Sequence, residues 1–196
     1  LSPRSDLPHG RPGDPPRIVL ARHGRTALNA EGRLRGLADP PLDPIGEAEA
    51  TRLGEHLAPF DPREVRCSPL QRAITTARIV AAHVGVTPIV DARLNDRDYG
   101  PWTGHLKTEV DARWGSADLA PGVEPIAAVL ERAWPVIEDS AAHPGVTVLI
   151  THDAVIRPLL TRILGVAPER DTQTGHWNEL RLDDGRWVVA GLDHGS

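Results

Sequence analysis

Two histidines and two arginines of this 196-residue chain stand where chemistry on an anion could be done. His23 follows the apolar run Ile18-Val19-Leu20-Ala21, with Arg22 before it and Gly24 after it. His152 follows Val146-Thr147-Val148-Leu149-Ile150-Thr151 in the same way. Short β-branched runs of this kind form buried strands. Both imidazoles are therefore expected at strand C-termini, the edge where open α/β sheets bind ligands, and Gly24 is expected to give a sharp turn there. Arg72 falls in the first turn of an expected helix, where the dipole disfavours a cation. If the strands are parallel neighbours, Arg22, His23, Arg72 and His152 converge with helix N-termini on one anion site, since guanidinium forks match phosphate oxygens in pairs. Each piece alone has a plainer reading: a histidine after a strand is commonly a hydrogen-bonded or exposed side chain, and Arg-His-Gly is a solvated strand exit. Their joint placement favours the anion site.

The elements that must position these residues alternate between strand and helix. Residues 17–22 read as the first strand and 24–42 as a loop. Asp43 is placed to cap a helix that opens with Pro44 and runs to about Leu57. Residues 64–67 form a short strand, and Ser68-Pro69-Leu70-Gln71 reads as a capping box that starts a helix to about Val84. An edge strand is expected over 87–90, demoted by Pro88, and a weakly marked helix over 105–114. Ile126, Val129, Leu130, Ala133 and Ile137 recur at helical spacing, so 122–142 is a helix that Pro135 should kink or shorten. The helix after His152 runs to about Leu164. Pro158 is tolerated only in a first turn, so that helix should begin at Ala154 or Val155 and leave Asp153 in the preceding turn, where backbone N–H groups can face an anion. The two alternating runs of "NELRLDDGRWVVAGL" meet at Asp184-Gly185, a hairpin signal. The order predicts an α/β protein: a three-layer α/β/α sandwich with a mostly parallel central sheet and a late antiparallel edge strand.

Composition bounds the function. Charged residues make up 25% and hydrophobic ones 40%, as in a globular domain, and the length suits one domain over 17–196. A formal net charge of −5 argues against nucleic-acid or membrane-surface partners, and no apolar run approaches the roughly 18 residues of a membrane span. Cys67 is the only cysteine, which excludes an intrachain disulfide and points to a reducing, cytoplasmic setting. Residues 1–16, rich in Pro, Gly and Arg and without the apolar stretch of a secretory signal, read as a mobile arm. The histidines are scattered without ligand spacing, so no metal or cofactor is expected. Trp102, Trp114, Trp134 and Trp177 are core candidates, with Trp177 beside His176 also within possible reach of a pocket. The exposed face of the 122–142 helix and the terminal hairpin are the candidate contacts of a homodimer.

Four segments carry a resemblance. They are Arg22-His23-Gly24-Arg25-Thr26 with Asn29 and "GLADPPLDPIGEAEA" (36–50); Ser68-Pro69-Leu70-Gln71-Arg72-Ala73 with Thr75, Thr76 and Ala77; "LNDRDYGPWTG" (94–104); and "VLITHDAVIRPLL" (148–160). In this order they resemble the histidine phosphatase superfamily, the phosphoglycerate mutase-like fold, over residues 17–165. The resemblance implies that His23 attacks phosphorus as a neutral imidazole and becomes a phosphohistidine. It implies that Arg22, Arg72 and His152 hold the non-bridging oxygens, that Thr26 and Asn29 add neutral donors, and that an acid protonates the leaving alkoxide.

Three positions depart from the pattern. Asp96 stands where the family commonly has glutamate as the acid. Aspartate is one methylene shorter, so either the backbone approaches closer, a water relays, or Asp98 does the work; spacing within the motif favours Asp96. Arg35 stands where many members carry glutamine, and either reads a second anionic group at the pocket mouth or is a solvated loop residue. Asp153 stands where glycine is frequent, and either faces the site, favouring a protonated His152, or is structural. The segment 103–122 is a short cap, which favours water entry and hence hydrolysis of a small phosphorylated substrate. Mutase-type phosphoryl transfer is the alternative, and a weakly catalytic phospho-ligand-binding domain is the third reading.

Overall fold

The computed structural model describes residues 15–195. Its sheet has six strands: β1 (Arg17–Arg22), β2 (Glu64–Cys67), β3 (Ile89–Val90), β4 (Val146–Thr151), β5 (Trp177–Asp183) and β6 (Arg186–His194). The order is β3-β2-β4-β1-β5-β6. β1 and β2 both run parallel to β4, and β2 runs parallel to β3. β5 joins β1 antiparallel and β6 joins β5 antiparallel, so the late edge is a hairpin of two strands. β4 lies in the middle and all six of its residues are buried, as its unbroken apolar run requires.

The helices are α1 (Ala27–Ala30), α2 (Pro44–Leu57), α3 (Gln71–Val84), α4 (Lys107–Trp114), α5 (Ile126–Ala141) and α6 (Asp153–Leu164). Strand alternation assigns the two sheet faces. Val19, Ala21, Val65, Cys67, Val148 and Ile150 pack on Leu53 and Leu57 of α2 and on Ala73, Ala77 and Val80 of α3. Ile18, Leu20 and Leu149 point the other way, against Val129, Ala133 and Ile137 of α5 and Val155, Ile156 and Leu159 of α6. The result is the expected three-layer α/β/α arrangement. A third, smaller core of Leu34, Val110, Ala117 and Ala120 with Tyr99, Trp102, Trp114 and Val123 builds the cap over the C-terminal edge of the sheet. Trp177 belongs to the α2/α3 core, between the rings of His56 and His194.

Several local expectations are corrected. The expected arm over 1–16 lies outside the described residues except for Pro15 and Pro16, and the Pro16 carbonyl accepts from Leu182 N–H. The loop over 24–42 holds the short helix α1. β3 is only two residues long, and α5 continues through Pro135 to Ala141. Ser68 does not cap α3; the N-cap position is Leu70, and the free Gln71 N–H is taken instead by the Asp39 carboxylate at 2.7 Å. Pro158 lies inside α6, which begins at Asp153, so Asp153 is in the first helical turn. The first helical bond there runs from Ile156 N–H to the His152 carbonyl. Pro158 thus forgoes a bond to the Ala154 carbonyl, and the burial of Val155, Ile156, Leu159 and Leu160 around it offsets that loss.

Gly24 is required for a reason other than a turn. Its φ is not positive. A Cβ on Gly24 would lie 2.2 Å from the Gly46 carbonyl oxygen, and one on Gly46 would lie 2.1 Å from that of Arg25. The segment after β1 is thereby seated directly on the first turn of α2, where Asp43 caps Gly46 N–H at 2.8 Å and pairs with Arg25 Nε at 2.9 Å. Gly24→Ala should lower the unfolding free energy by about 1–3 kcal/mol through overpacking of backbone on backbone. Urea unfolding of the two proteins measures this, and an unchanged midpoint would show that the contact has slack.

Candidate active site

The strand ladder delivers three side chains to one edge. His23 N–H bonds the Thr151 carbonyl and Ser68 N–H bonds the Ile150 carbonyl, so β1, β2 and β4 stay in register one residue past their ends. His23, Ser68 and His152 follow the last residues of these strands and are fully buried. The two imidazole centroids are 5.0 Å apart.

His23 Nδ1 lies 2.7 Å from the Gly24 carbonyl oxygen, which can only accept, so the ring proton is on Nδ1 and Nε2 carries the lone pair. Burial holds the His23 pKa well below the ordinary imidazole value of 6.5, and the neighbouring His152, Arg72, Arg22 and Arg35 add to that. His152 is held low by burial, then by Arg72, Arg35, Arg22 and Arg132. Its Nε2 is 2.8 Å from Ser68 Oγ, which also accepts Leu70 N–H. The hydroxyl can donate to Nε2 when the His152 proton sits on Nδ1, the tautomer favoured by the Asp96 carboxylate oxygen 3.4 Å from Nδ1.

Arg72, from the first turn of α3, is completely buried. Its Nη2 donates to Asp96 Oδ2 at 2.7 Å and to the Gly36 carbonyl at 3.0 Å, and its Nη1 donates to the Ala38 carbonyl at 2.8 Å. Its Nε lies 3.3 Å from His23 Nε2. Asp96 completes the group: Oδ2 is 3.4 Å from His152 Nδ1, outside hydrogen-bond alignment, and Oδ1 accepts Arg97 N–H at 2.8 Å. Asp98 does not share the cluster; its Oδ1 accepts Gly100 N–H at 2.7 Å.

Arg22 Nη1 donates to the Thr172 carbonyl at 2.6 Å, while Asp153 Oδ1 accepts Thr172 N–H at 2.9 Å. Asp153 and Arg22 thus hold Thr172 of the 165–176 loop from its two sides, by its N–H and by its carbonyl. Burial raises the Asp153 pKa and Arg22 opposes that. Thr26 caps α1, donating its hydroxyl proton to Asn29 Oδ1 at 2.8 Å. The expected Thr26 donor is therefore spent within the cap, and of this pair the Asn29 amide nitrogen keeps the donor capacity. Arg35 is half-buried, its charge acts on both histidines, and Nη1 reaches only the Arg33 carbonyl at 3.2 Å. Its Nε is buried.

Arg22 Nε, Arg35 Nε and His152 Nδ1 are buried without a hydrogen-bond partner. Buried donors of this kind call for an acceptor, and three cationic or imidazole donors around the His23 lone pair fit a tetrahedral oxyanion. A cavity of about 730 Å³ has Arg97, Tyr99, Ala117, Leu130, Asp153 and Arg157 among its walls, and none of His23, Arg72, Asp96 and His152 lines it. Among the described residues no group of histidines, cysteines and carboxylates has the arrangement of a metal site, and no helix is long and apolar enough to cross a membrane. Ser68, Thr76, Arg132 and Thr172 stand outside the expected site residues. Ser68 carries a readable signal, the same one-residue offset from its strand as His23 and His152. Thr76 accepts Gly24 N–H at 3.0 Å. Arg132 and Thr172 act through backbone groups distant in sequence and have no local signal.

The histidine phosphatase superfamily (branch 1) matches residues 18–194. The chain belongs to this superfamily. It is 30% identical over 168 residues to the glucosyl-3-phosphoglycerate phosphatase of Mycolicibacterium vanbaalenii, covering 76% of this chain and 75% of the relative. It is 34% identical over 155 residues to the uncharacterized phosphatase PhoE of Bacillus subtilis, covering 78% and 79%. It is also 30% identical over 170 residues to the 2,3-bisphosphoglycerate-dependent phosphoglycerate mutase of Cytophaga hutchinsonii, covering 79% and 80%. Among solved structures, mycobacterial glucosyl-3-phosphoglycerate phosphatase complexed with VO3 superposes with a TM-score of 0.82 at 26% identity, covering 91% of this chain and 99% of that one. Both phosphatases and mutases of the superfamily therefore share this chain's fold and much of its length.

The neutral histidines make stability depend on pH. Folded His23 and His152 resist protonation, whereas in the unfolded chain both titrate near the ordinary 6.5. Below that value the unfolded state binds more protons, so stability falls as pH drops, by up to about 1.4 kcal/mol per pH unit for each histidine. Urea titrations at pH 7.5, 6.5 and 5.5 should show this slope, and His152→Gln should flatten it by up to one proton's worth. Parallel curves for the two proteins would show that His152 takes up its proton when folded.

Proposed function

We propose that the protein is a phosphomonoesterase acting on a small phosphorylated metabolite through a phosphohistidine on His23. The observation that carries this is the pinned ring: Nδ1–H is tied to the Gly24 carbonyl, so Nε2 presents its lone pair among donors that lack an acceptor. Nε2 attacks phosphorus as the P–O ester bond breaks, and Asp96, which enters this step as the carboxylic acid after taking a proton from the substrate monoanion or water, gives that proton to the leaving alkoxide. Arg22, Arg72, Arg35 and His152 bear the charge on the non-bridging oxygens, with Asn29 as a neutral donor. Asp96 then takes a proton from a water that attacks the phosphohistidine, which releases inorganic phosphate and restores the neutral imidazole. The reaction uses protein groups alone and is expected to proceed in EDTA.

Placement supports Asp96 over Asp98 as the acid, because only Asp96 is held against Arg72 and His152. The short cap over 103–122 favours hydrolysis over retention of a bisphosphate. Mutase relatives keep the second reading in view.

Reactions with 32P-labelled substrate, quenched in alkaline SDS, should trap a base-stable, acid-labile phosphohistidine that His23→Asn abolishes. Asp96→Asn should lower turnover of alkyl phosphates by about 10²–10⁴-fold, and Asp98→Asn far less. A larger loss in Asp98→Asn would reassign the acid. Conversion of 3-phosphoglycerate to 2-phosphoglycerate faster than phosphate release would replace hydrolase by mutase, and failure to trap any phosphoenzyme would leave a binding domain.

A further inference from the structure

An aspartate in place of the longer glutamate can serve as the acid only if its backbone comes close to the reacting phosphate and stays there. Residues 95–98 have no regular secondary structure to hold them. Instead, side chains from elsewhere take the carbonyls of four successive residues. Arg132 of α5 donates Nη1 to the carbonyls of Arg93 at 3.0 Å and Asn95 at 2.8 Å, and Nη2 to that of Asp96 at 3.0 Å. Thr151, the last residue of β4, donates its hydroxyl to the Leu94 carbonyl at 2.7 Å.

Arg132 is itself oriented. Its Nε and Nη2 bond the two oxygens of Glu124 at 3.0 and 3.1 Å, a bidentate pair. Glu124 then holds the far side of the acid segment. Its Oε2 accepts Asp98 N–H at 3.1 Å, its N–H bonds the Asp98 carbonyl at 2.8 Å, and its carbonyl accepts Arg97 Nε at 2.6 Å. Burial alone would raise the Glu124 pKa, but the bonds from Arg132 and Asp98 N–H outweigh it and hold the group ionised. Arg132 touches neither Asp96 carboxylate oxygen; those contact Arg72, Arg97 N–H and His152.

We propose that Arg132, oriented by Glu124, is the positioning residue that holds the backbone of Asp96 close enough for its short side chain to deliver the proton. The inference rests on the reading of Asp96 as the acid. Without the guanidinium, three carbonyls lose their donors and the segment is free to back away from Arg72, lengthening the path from Asp96 to the leaving oxygen. Rigid positioning matters here because displacements of about 1 Å cost on the order of 10² in rate.

The test is a leaving-group series in single-turnover mode, reading alcohol release, with p-nitrophenyl phosphate as the substrate that needs little acid help and glycerol 3-phosphate as the one that needs it. Arg132→Ala should lower release from the alkyl phosphate by about 10²-fold and from the aryl phosphate only a few-fold, copying the pattern of Asp96→Asn. In Arg132→Ala/Asp96→Asn the two losses should not multiply. Arg132→Lys, which can still hold one or two of the carbonyls, should recover part of the alkyl rate. If Arg132→Ala does not fold, Glu124→Gln and Arg132→Lys carry the same comparison. Equal losses on both substrates in these variants, beside a steep dependence in Asp96→Asn, would overturn the positioning role and leave the acid assignment standing. A flat dependence in Asp96→Asn itself would overturn the acid assignment and this inference with it.

Discussion

Arg72 sets the constraint around which the rest of the site is arranged. A guanidinium removed from water costs several kcal/mol unless its N–H groups find acceptors at close range. Here the acceptors are the Gly36 and Ala38 carbonyls, the Asp96 carboxylate and the His23 ring nitrogen. Each comes from a different part of the chain, so satisfying one side chain draws the 33–39 loop, the acid segment and the end of β1 onto the N-terminus of α3. Asp39 adds to this by accepting Gln71 N–H, tying the same loop to the same helix end. An apolar residue of equal size would pack more cheaply, but it would gather none of these segments.

The electrostatics follow from that gathering. Burial is the first cause that keeps His23 and His152 unprotonated, and the arginines around them reinforce it. The same arginines form a field that awaits negative charge. A bound anion would offset their mutual repulsion, while His23 stays a neutral imidazole. Opposed pulls are also balanced at Thr172, whose carbonyl is held by Arg22 and whose N–H is held by Asp153. That fixes the Arg22 guanidinium by its far end and leaves its Nε turned inward.

Much of this was legible in the sequence because the signals were local. Apolar runs followed by histidine located the edge of the sheet, and alternation against helical spacing gave the three layers. Asp43 with Pro44 marked the start of α2 correctly, since the cap and the helix it serves are adjacent in sequence. The errors came where a local rule was overridden from a distance. Ser68 fits a capping box, yet its hydroxyl is engaged by His152, and the cap is supplied by Asp39. Pro158 obeys a first-turn rule in isolation, but the packing of α6 on the sheet outweighs one missing bond. Gly24 suggested a turn and instead answers the approach of Gly46, which no local pattern discloses.

The central place of β4 has a consequence for how the molecule comes to exist. β1 and β2 are each bonded to β4 and not to one another. During synthesis, the two strands that lead to His23 and Arg72 therefore have no mutual ladder, and both wait for residues 146–151 to emerge. Pairings so distant in sequence are slow to close, and the open edges are prone to aggregate meanwhile. His23 and Ser68 are thus brought side by side only through β4, the strand that also delivers the second histidine. A nascent or truncated chain lacking that strand would have neither a continuous sheet nor the paired histidines, so the cluster and the completed sheet depend on the same segment.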